Sequence, residues 1–349
     1  MAAAEPQRFD RQVRFASLGQ AGQARIEAAR VLVVGCGALG GSLAQTLVRC
    51  GVGELVLVDR DIVELTNLPR QVLFEDHHAQ AGTPKVDAAR ETLERIGGPT
   101  RLATHATHLD ADNLPELAQD CDLVLDGTDN LATRYLLNDY CVERGLAWIY
   151  AGVVGSGGLV LPVLPALDRP GACLRCLFPD PAAPGSLPTC ETAGVILPAV
   201  AAIASIEAGL GLRWLASGAD DRRRFESNLV QLDVWTGDVL RVAASRQSDC
   251  PCCVGRQFPF LHSPPSRSAV VLCGRGTVQV RGSGARPDLE RVAAGLEGHA
   301  RSLTSVGGAL LRFEVEALRI TLFPDGRALI EGTDDPGRAR AVYDRFVGS

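Results

Sequence analysis

The segment VLVVGCGALGGSLAQTLVRCGVGELVLVD, residues 31–59, constrains the fold of this 349-residue chain more than any other stretch. An apolar strand runs into Gly35, Gly37 and Gly40, a helix follows, and a second strand ends at Asp59. Such glycines permit a tight turn and close backbone approach, and the following helix directs its N–H groups at phosphate. Asp59 comes about 20 residues after the last glycine, where a carboxylate accepts hydrogen bonds from ribose hydroxyls. The segment therefore predicts a nucleotide site.

Strand-like and helix-like segments alternate along the first part of the chain. Further strands are predicted at 54–59, 102–107, 122–129 and 146–153, and helices over 41–50, 84–96 and 132–144. Continuous apolar strands separated by helices indicate a parallel sheet that is covered on both faces. We therefore expect a Rossmann-like, doubly wound, mostly parallel α/β sheet over residues 1–263. An outer strand and a hairpin turning at Thr236-Gly237-Asp238 would complete it.

The end of the chain is predicted to form a separate domain. A polar, Pro-rich linker, HSPPSRS at residues 262–268, marks the boundary. Beyond it, the pattern of strand, helix, strands and helix indicates a small α+β domain over residues 264–349, with Pro324-Asp325-Gly326 turning a hairpin. The sequence of this second domain does not indicate its role.

Charge and composition exclude several classes of partner. The net charge of −6 argues against a general nucleic-acid binder. The start, MAAAEPQRFDRQ, lacks the apolar core of a signal peptide. Residues 195–215 are apolar enough to raise the question of a membrane span, but Glu207 and Arg213 favour a buried helix, with a subunit interface as one candidate location. We therefore expect a cytoplasmic protein with neither a nucleic-acid nor a membrane partner.

Charged residues after Asp59 distinguish between possible nucleotides. The glycine pattern by itself leaves NAD(P) and ATP open. Asn67, Arg70 and Lys85 follow, and a hydride transfer needs no pair of cations near phosphate, whereas nucleotidyl transfer does. The strand end VLDGTDN adds Asp129, a candidate Mg²⁺ ligand, although it could equally be a helix N-cap. Together, in this order, these residues favour ATP.

The eleven cysteines indicate reduced thiols and metal ligands in the absence of a secretion signal. Two C-x-x-C pairs fit a tetrahedral structural zinc site, with Cys252 as an alternative register and an iron–sulfur cluster also possible on ligands alone. The pairs are Cys173 with Cys176 and Cys250 with Cys253. Five further cysteines are predicted to be small buried hydrophobic residues, namely Cys36, Cys50, Cys121, Cys141 and Cys273. His77-His78 is predicted to be a solvated turn.

Taken in order, the motifs of the chain resemble the MoeB/ThiF/HesA family, the bacterial relatives of ubiquitin-activating enzymes. The resemblance covers roughly residues 8–255 and rests on RFDRQ, GCGALG, LVDRD, TNLPRQ, PKVDAA, LVLDGTDN, CLRC, TCETAGV and CPCC. It implies ATP-dependent adenylation of the C-terminal Gly-Gly carboxylate of a sulfur-carrier or ubiquitin-like protein, with loss of pyrophosphate. It also implies a homodimer, Mg²⁺ with the ATP, zinc on the cysteine pairs, and a separate protein as a possible sulfur donor.

The resemblance also implies a role for individual residues. Asp59 would hold ribose, and Asn67, Arg70 and Lys85 would stabilise the phosphates. Asp129 would bind Mg²⁺ with Asn130 beside the nucleotide, and Arg11 would reach in from the partner subunit. The cradle itself would consist of Gly35, Gly37, Ala38 and Gly40. Two positions depart from the family pattern, Ala38 where glycine is frequent and Pro69 where glutamine is common, and neither removes a charged group.

Cys190 leaves the second chemical step open. In the family, a cysteine at this place carries sulfur or links covalently to the carrier in some members and is dispensable in others. Sulfur transfer for molybdopterin, thiamine or thiolated tRNA is therefore one pathway, and a ubiquitin-like conjugation system with Cys190 as thioester acceptor is the alternative. Adenylation of a peptide or small acid, a nucleotide-binding scaffold and an NAD dehydrogenase are further readings, of which the last two fit the charged residues poorly.

Overall fold

Five parallel strands form the centre of the first part of the chain, and most of their side chains are buried. The structure is a computed structural model that describes residues 8–167, 170–181, 190–262, 270–272, 276–282, 287–306 and 310–347. Eight strands form one sheet in the order β3-β2-β1-β4-β5-β6-β7-β8. They are β1 Arg30–Val34, β2 Glu54–Val58, β3 Arg101–His105, β4 Leu123–Asp126, β5 Trp148–Val154, β6 Gly157–Val163, β7 Asn228–Asp233 and β8 Val239–Ala243.

The sheet changes character at β5. Strands β1 to β5 pair in parallel, whereas β6, β7 and β8 extend the sheet by antiparallel pairing from β5 outward. Val31 and Val33 of β1 belong to one apolar cluster, and Leu32 and Val34 belong to the other. Because successive side chains of a strand point to opposite faces, a continuous apolar run requires cover on both sides. The predicted doubly wound, mostly parallel fold is confirmed.

Helices cover the two faces of this sheet. The cluster on one face includes residues of α3, α5 and α10, and the cluster on the other includes residues of α6, α7 and α8. In the first unit the helices are α1 Asp10–Val13, α2 Gly19–Ala28, α3 Ala38–Cys50, α4 Asp76–Ala81, α5 Lys85–Ile96, α6 Leu114–Leu117, α7 Leu131–Arg144, α8 Leu174–Leu177, α9 Cys190–Ala193, α10 Leu197–Ala216, α11 Ala219–Arg222 and α12 Pro259–His262. A 3₁₀ turn covers Leu65–Asn67.

Helix α10 corresponds to the apolar segment of the sequence. It is the one helix in the described part of the chain that is long and apolar enough to cross a membrane. It packs against α3, β5 and β6, and its central Glu207 is completely buried within the protein. These contacts make α10 a core helix of the α/β unit.

The chain consists of two compact units, Met1–Ser263 and Pro264–Ser349. The second unit is a six-stranded antiparallel sheet in the order β11-β12-β13-β14-β10-β9, with two helices packed on one face. Its elements are β9 Val270–Leu272, β10 Thr277–Arg281, α13 Leu289–Leu296, β11 Leu303–Val306, β12 Leu310–Val315, β13 Leu318–Leu322, β14 Arg327–Glu331 and α14 Pro336–Phe346. It has the predicted α+β class, although the first predicted strand is an antiparallel pair, β9 with β10.

Two local predictions are wrong. His77 and His78 do not form a solvated turn, because they lie in α4 and His78 is buried, with its Nδ1 accepting the Glu75 N–H at 3.0 Å. Cys50 is half-buried at the end of α3, whereas the other described cysteines predicted to be structural are fully buried. Cys273 and the predicted linker beyond His262 lie outside the described residues.

Backbone packing at the carboxyl ends of β1 and β4 requires glycine. Gly35 has a φ of +88°, in the left-handed region that side chains rarely adopt. A Cβ on Gly40 would lie 1.8 Å from the carbonyl oxygen of Gly35, and a Cβ on Gly127 would lie 2.5 Å from the same oxygen. The loop after β1, the first turn of α3 and the loop after β4 are therefore in direct backbone contact.

Two adjacent glycines of α3 provide a test of this packing. Gly40→Ala should lower the free energy of unfolding by about 3 kcal/mol, because its methyl group would overlap a backbone carbonyl. Gly41→Ala should leave the free energy unchanged or raise it by about 0.5–1 kcal/mol, since alanine favours the helix. At Gly41 a Cβ meets only Leu73, at an ordinary 3.5 Å. Urea unfolding measures both, and equal midpoints for the two variants would contradict the packing.

Candidate functional site

The predicted nucleotide residues meet at one edge of the sheet. Because β1, β2 and β4 are parallel, their carboxyl ends lie together, beside the N-terminus of α3. Gly37 precedes that helix and provides no side-chain cap for its first N–H groups. Unlike Gly35 and Gly40, Gly37 has an ordinary φ of −81°, and a Cβ there would meet only the Gln71 amide at 3.8 Å. The chain's own packing does not require glycine here, so the missing side chain leaves room for a ligand.

Asp59, directly after β2, is held rigidly at this edge. Its Oδ2 accepts the Cys36 N–H at 2.6 Å, and its Oδ1 accepts the Asp61 N–H at 2.7 Å. Burial raises the pKa of Asp59, while the nearby Lys85 and the two backbone N–H groups counteract part of that rise. Each carboxylate oxygen can accept a second hydrogen bond. The position and the acceptor capacity suit a ribose hydroxyl.

Lys85 reaches Asp59 through a short backbone pairing between two loops. Ile62 forms an isolated bridge with Pro84, and the Lys85 N–H donates to the Asp61 carbonyl at 2.9 Å. This pairing places the Lys85 Nζ 3.2 Å from the Asp61 Oδ2. Burial by itself would lower the pKa of Lys85, but the carboxylates of Asp61, Asp59 and Asp129 outweigh it and raise that pKa above its usual value. The ammonium group therefore stays charged at this edge.

Lys85 is also the only lysine of the chain, since every other basic residue counted with it is arginine. The ammonium group is compact, whereas guanidinium is a broad planar fork, and the two are not interchangeable where space is limited. Lys85 is 6% exposed and Asp61 is half-buried beside it. Asp61 was not among the predicted site residues. The sequence did indicate it indirectly, because Asp61 follows Asp59 by two residues in LVDRD.

Asn67 and Arg70 belong to one tight turn after β2. The buried Asn67 accepts the Glu64 N–H with its side-chain oxygen at 3.1 Å, so that oxygen maintains the turn. Its backbone oxygen accepts the Arg70 N–H at 3.1 Å. The half-buried Arg70 side chain donates to the Thr66 carbonyl at 2.7 Å. The turn thus positions Arg70, and Asn67 maintains the shape of the turn.

The two aspartates after β4 have different environments. Asp126 is fully buried, and it accepts from Thr128 through Oδ1 and from the Arg134 Nε through Oδ2 at 3.0 Å. Asp129 is exposed, and Asn130, rather than Asp129, caps α7 by accepting the Thr133 N–H at 3.3 Å. Both carboxylate oxygens of Asp126 are therefore engaged in hydrogen bonds within the protein. Of these two aspartates, Asp129 is the one that offers a carboxylate to a metal ion.

A buried polar network that sequence reasoning missed supports the Asp129 loop. Arg134 donates to the Thr128 carbonyl at 2.6 Å and to the Ala151 carbonyl of β5 at 2.9 Å. Glu207 of α10 accepts the Asp126 N–H at 2.8 Å, where β4 and β5 have stopped pairing. Burial, with a smaller contribution from the neighbouring Asp126 carboxylate, raises the pKa of Glu207 well above its usual range. The sequence did contain an indication of this network, because Glu207 is a charged residue in the middle of an apolar helix.

Two predicted catalytic residues lie apart from these contacts. Arg11 is exposed on α1 and makes no side-chain hydrogen bond or ion pair within the described part of the chain. Cys190 begins α9, and the segment just after it is joined to the β5–β6 turn. There Gly155 donates to the Gly194 carbonyl at 2.9 Å and accepts the Ile196 N–H at 3.1 Å. Cys190 therefore lies in a segment attached to the same edge of the sheet.

The four predicted zinc ligands form one cluster. The Sγ atoms of Cys173, Cys176, Cys250 and Cys253 all lie within 4.8 Å of one another. The separations are 3.8 Å for Cys173–Cys176, 3.6 Å for Cys173–Cys250 and 3.5 Å for Cys176–Cys253. A tetrahedron with metal–sulfur bonds of about 2.3 Å has edges close to these values. The cluster can hold a single zinc ion.

Cys252, the alternative ligand, lies outside that cluster and contacts Asn138 instead. The buried Asn138 of α7 donates to the Cys252 Sγ at 3.2 Å. Its side-chain oxygen accepts the Leu174 N–H at 2.8 Å, so one residue of α7 contacts both C-x-x-C segments. The register with Cys250 and Cys253 is therefore the one the fold provides.

The fold and this sheet edge define a nucleotide-binding protein of the doubly wound α/β class. Residues 9–252 match the model of the ThiF family, and the chain belongs to that family. It is 36% identical over 344 residues to the sulfur carrier protein ThiS adenylyltransferase of Bacillus subtilis, covering 98% of this chain and 99% of that protein. It is 34% identical to the sulfur carrier protein adenylyltransferase of Thermus thermophilus, covering 71% of this chain and 91% of that one.

A solved structure shows a related fold. The crystal structure of E. coli MccB with MccA-N7isoASN superposes with a TM-score of 0.61 at 20% identity, covering 72% of this chain and 76% of that one. This likeness concerns the fold alone. The predicted family and fold class are confirmed, and adenylyl transfer is the activity that the kinship supports.

The cysteine cluster generates a test with a matched control. Cys253→Ser should remove zinc from the purified protein and lower its thermal midpoint, because a structural metal acts through folding. Cys252→Ser should keep the zinc, since serine can still accept from Asn138. Elemental analysis gives the content, with about one zinc per chain expected for the unaltered protein. Zinc lost from both variants, or absent from the unaltered protein, would contradict the assignment.

Proposed function

We propose that this protein uses ATP and Mg²⁺ to adenylate the C-terminal Gly-Gly carboxylate of a small sulfur-carrier protein. The observation that carries the proposal is the sheet edge itself. There a rigid ribose acceptor, Asp59, lies beside a buried ammonium, Lys85, and an exposed carboxylate, Asp129, faces the same charge. Near end-to-end similarity to a protein named for adenylating a sulfur carrier supports the same substrate class.

The reaction requires control of charge at phosphate. A carboxylate oxygen of the carrier attacks the α-phosphorus of ATP, the bond to the bridging oxygen breaks, and pyrophosphate leaves with the electron pair. Negative charge grows on the phosphate oxygens during this step, and fixed cations stabilise it. Lys85 and Arg70 provide that charge, and Asp59 orients the ribose. Asp129 would hold Mg²⁺, which neutralises charge on the departing pyrophosphate.

The products are an acyl-adenylate and pyrophosphate, and they define the next reaction. A mixed anhydride with AMP is a good electrophile for a sulfur nucleophile. We place Cys190, or a persulfide brought by a separate sulfur donor, in that step. Sulfur transfer fits the names of the relatives better than a conjugation system that uses Cys190 as a thioester acceptor.

We further propose a homodimer in the cytoplasm in which Arg11 serves the partner's site. Within its own chain Arg11 is exposed and unpaired among the described residues. Helix α1, which carries it, packs on α2, and α2 packs on α10. One face of α10 is small and exposed, with Ala201, Ser205 and Gly209 at intervals of one helical turn. Small residues at that spacing allow close approach of a second helix.

Carrier-dependent exchange between pyrophosphate and ATP tests the adenylation step. Lys85→Met and Asp129→Asn should each reduce the exchange rate by about 100-fold or more, because charge stabilisation at phosphate is lost. Asp87→Asn, an exposed aspartate on the same helix as Lys85, is the matched control and should retain the rate. Cys190→Ala should also retain it, since no thiol takes part in adenylation. Exchange that persists in Lys85→Met would refute the assigned role.

Mixing two inactive variants tests the role of Arg11. Arg11→Ala and Asp129→Ala subunits that exchange freely should form heterodimers with one complete site each. Half of randomly mixed dimers are hybrids, and each hybrid has one complete site out of two. Activity should therefore return to about one quarter of the unaltered level. If subunits exchange but activity stays absent, Arg11 acts within its own chain or has no part in the reaction. A chain that sediments as a monomer would remove the basis for the proposal.

A further inference from the structure

Gln12 fixes the short helix α1, which carries Arg11, to the end of helix α3. The half-buried Gln12 side chain donates from Nε2 to the carbonyl oxygen of Cys50 at 3.0 Å and to the side-chain oxygen of Gln23 at 2.6 Å. Cys50 is the last residue of α3, and the final carbonyl groups of a helix have no partner within it. The amide therefore joins α1 both to α2 and to the end of α3.

Two further side chains attach the same segment to the body of the protein. The ring of Phe9 packs on Gly51, where an added Cβ would overlap it. Arg8 donates to the carbonyl oxygen of Gly97, just beyond α5, at 2.8 Å. Arg11 is exposed, and among the described residues its side chain makes no hydrogen bond or ion pair. The segment is thus anchored on both sides of an arginine that its own chain does not use.

This anchorage separates Arg11 from the proposed nucleotide edge of its own chain. That edge lies at the N-terminus of α3, whereas Gln12 is bound at the C-terminus of the same helix. The 13 residues of α3 span about 20 Å, at a rise of about 1.5 Å per residue. An arginine side chain is much shorter than this distance, which favours a site on another copy of the chain over its own.

We infer that Gln12 is a positioning residue that acts in trans, because its amide holds α1 on the end of α3 and so directs Arg11 to the site of the partner subunit. The inference rests on the proposed function and adds to it the contact that sets the direction of Arg11. Gln12 itself touches neither ATP nor the carrier, so its whole effect on the reaction passes through Arg11.

Gln12→Met tests this contact, because methionine has a similar length and no donor. The fold should persist, since Gln23 also donates to the Cys50 carbonyl, at 3.3 Å. Pyrophosphate exchange, measured with a sulfur-carrier protein ending in Gly-Gly, should fall about tenfold or more, because a displaced group acts poorly. The double variant Arg11→Ala/Gln12→Met should be no slower than Arg11→Ala, since both changes remove one interaction. A further tenfold loss in the double variant would overturn the inference.

Subunit mixing distinguishes an effect in trans from damage to the subunit's own site. Gln12→Met mixed with Asp129→Ala should recover about one quarter of the unaltered activity, because each hybrid has one site with an intact Asp129 and a correctly held Arg11. Gln12→Met mixed with Arg11→Ala should show no such recovery, since neither subunit then supplies a correctly placed Arg11. Damage within the Gln12→Met subunit's own site would give the opposite pattern, and that pattern would overturn the inference.

Arg256 provides a control for stability, because it makes the same kind of contact at the end of a different helix. Its guanidinium donates to the carbonyl oxygens of Val142 and Glu143, at the end of α7, at 2.9 and 3.2 Å. Arg256→Met should lower the thermal midpoint and retain the exchange rate of the folded protein. If it slows exchange as much as Gln12→Met does, the loss reflects stability and the inference fails.

Two outcomes separate this inference from the proposed function. An unaltered protein with no carrier-dependent exchange would refute adenylation itself. Full exchange in Arg11→Ala would refute the role of Arg11, and the inference with it, while leaving adenylation intact.

Discussion

The backbone pairing of Ile62 with Pro84 is the contact on which the site depends, because it brings the single lysine to Asp61, next to Asp59. A buried ammonium is unfavourable unless carboxylates and hydrogen bonds surround it. Asp61 supplies both, since its carbonyl fixes the backbone of Lys85 and its carboxylate contacts the Nζ. Asp61 in turn donates its N–H to Asp59. The residues that we propose for ribose and phosphate binding are thus parts of one connected structure.

Helix α7 joins the nucleotide edge to the cysteine cluster. Its first turn begins at Asn130, next to the exposed Asp129, and Arg134 one turn later binds Asp126 and the carbonyl of Thr128. Further along, Asn138 contacts both C-x-x-C segments. A metal on the cysteines would therefore act at a distance, by holding the helix that supports the Asp129 loop. That arrangement agrees with a structural metal having no open coordination position.

The second unit has an apolar core of its own. The similarity to the Bacillus subtilis protein extends over 98% of this chain, and so includes the small α+β unit as well as the ThiF domain. Its sheet packs two helices on one face around its own apolar cluster. An independent core of this kind is what a separately folding domain requires.

The sequence by itself determined the sheet class, the glycine-lined edge, the four cysteines of the cluster and the family. Each of these depends on local patterns, such as apolar strand runs, glycines at fixed offsets and C-x-x-C spacing, that hold whatever the rest of the chain does. Only the tertiary structure decided which residue of each pair is used. It pairs Asp126 with Arg134 and leaves Asp129 exposed, places Cys252 beside Asn138, and brings Asp61 and Glu207 to the site. Their partners are distant in the chain, and a hydrogen bond between distant segments leaves no periodic trace in either one.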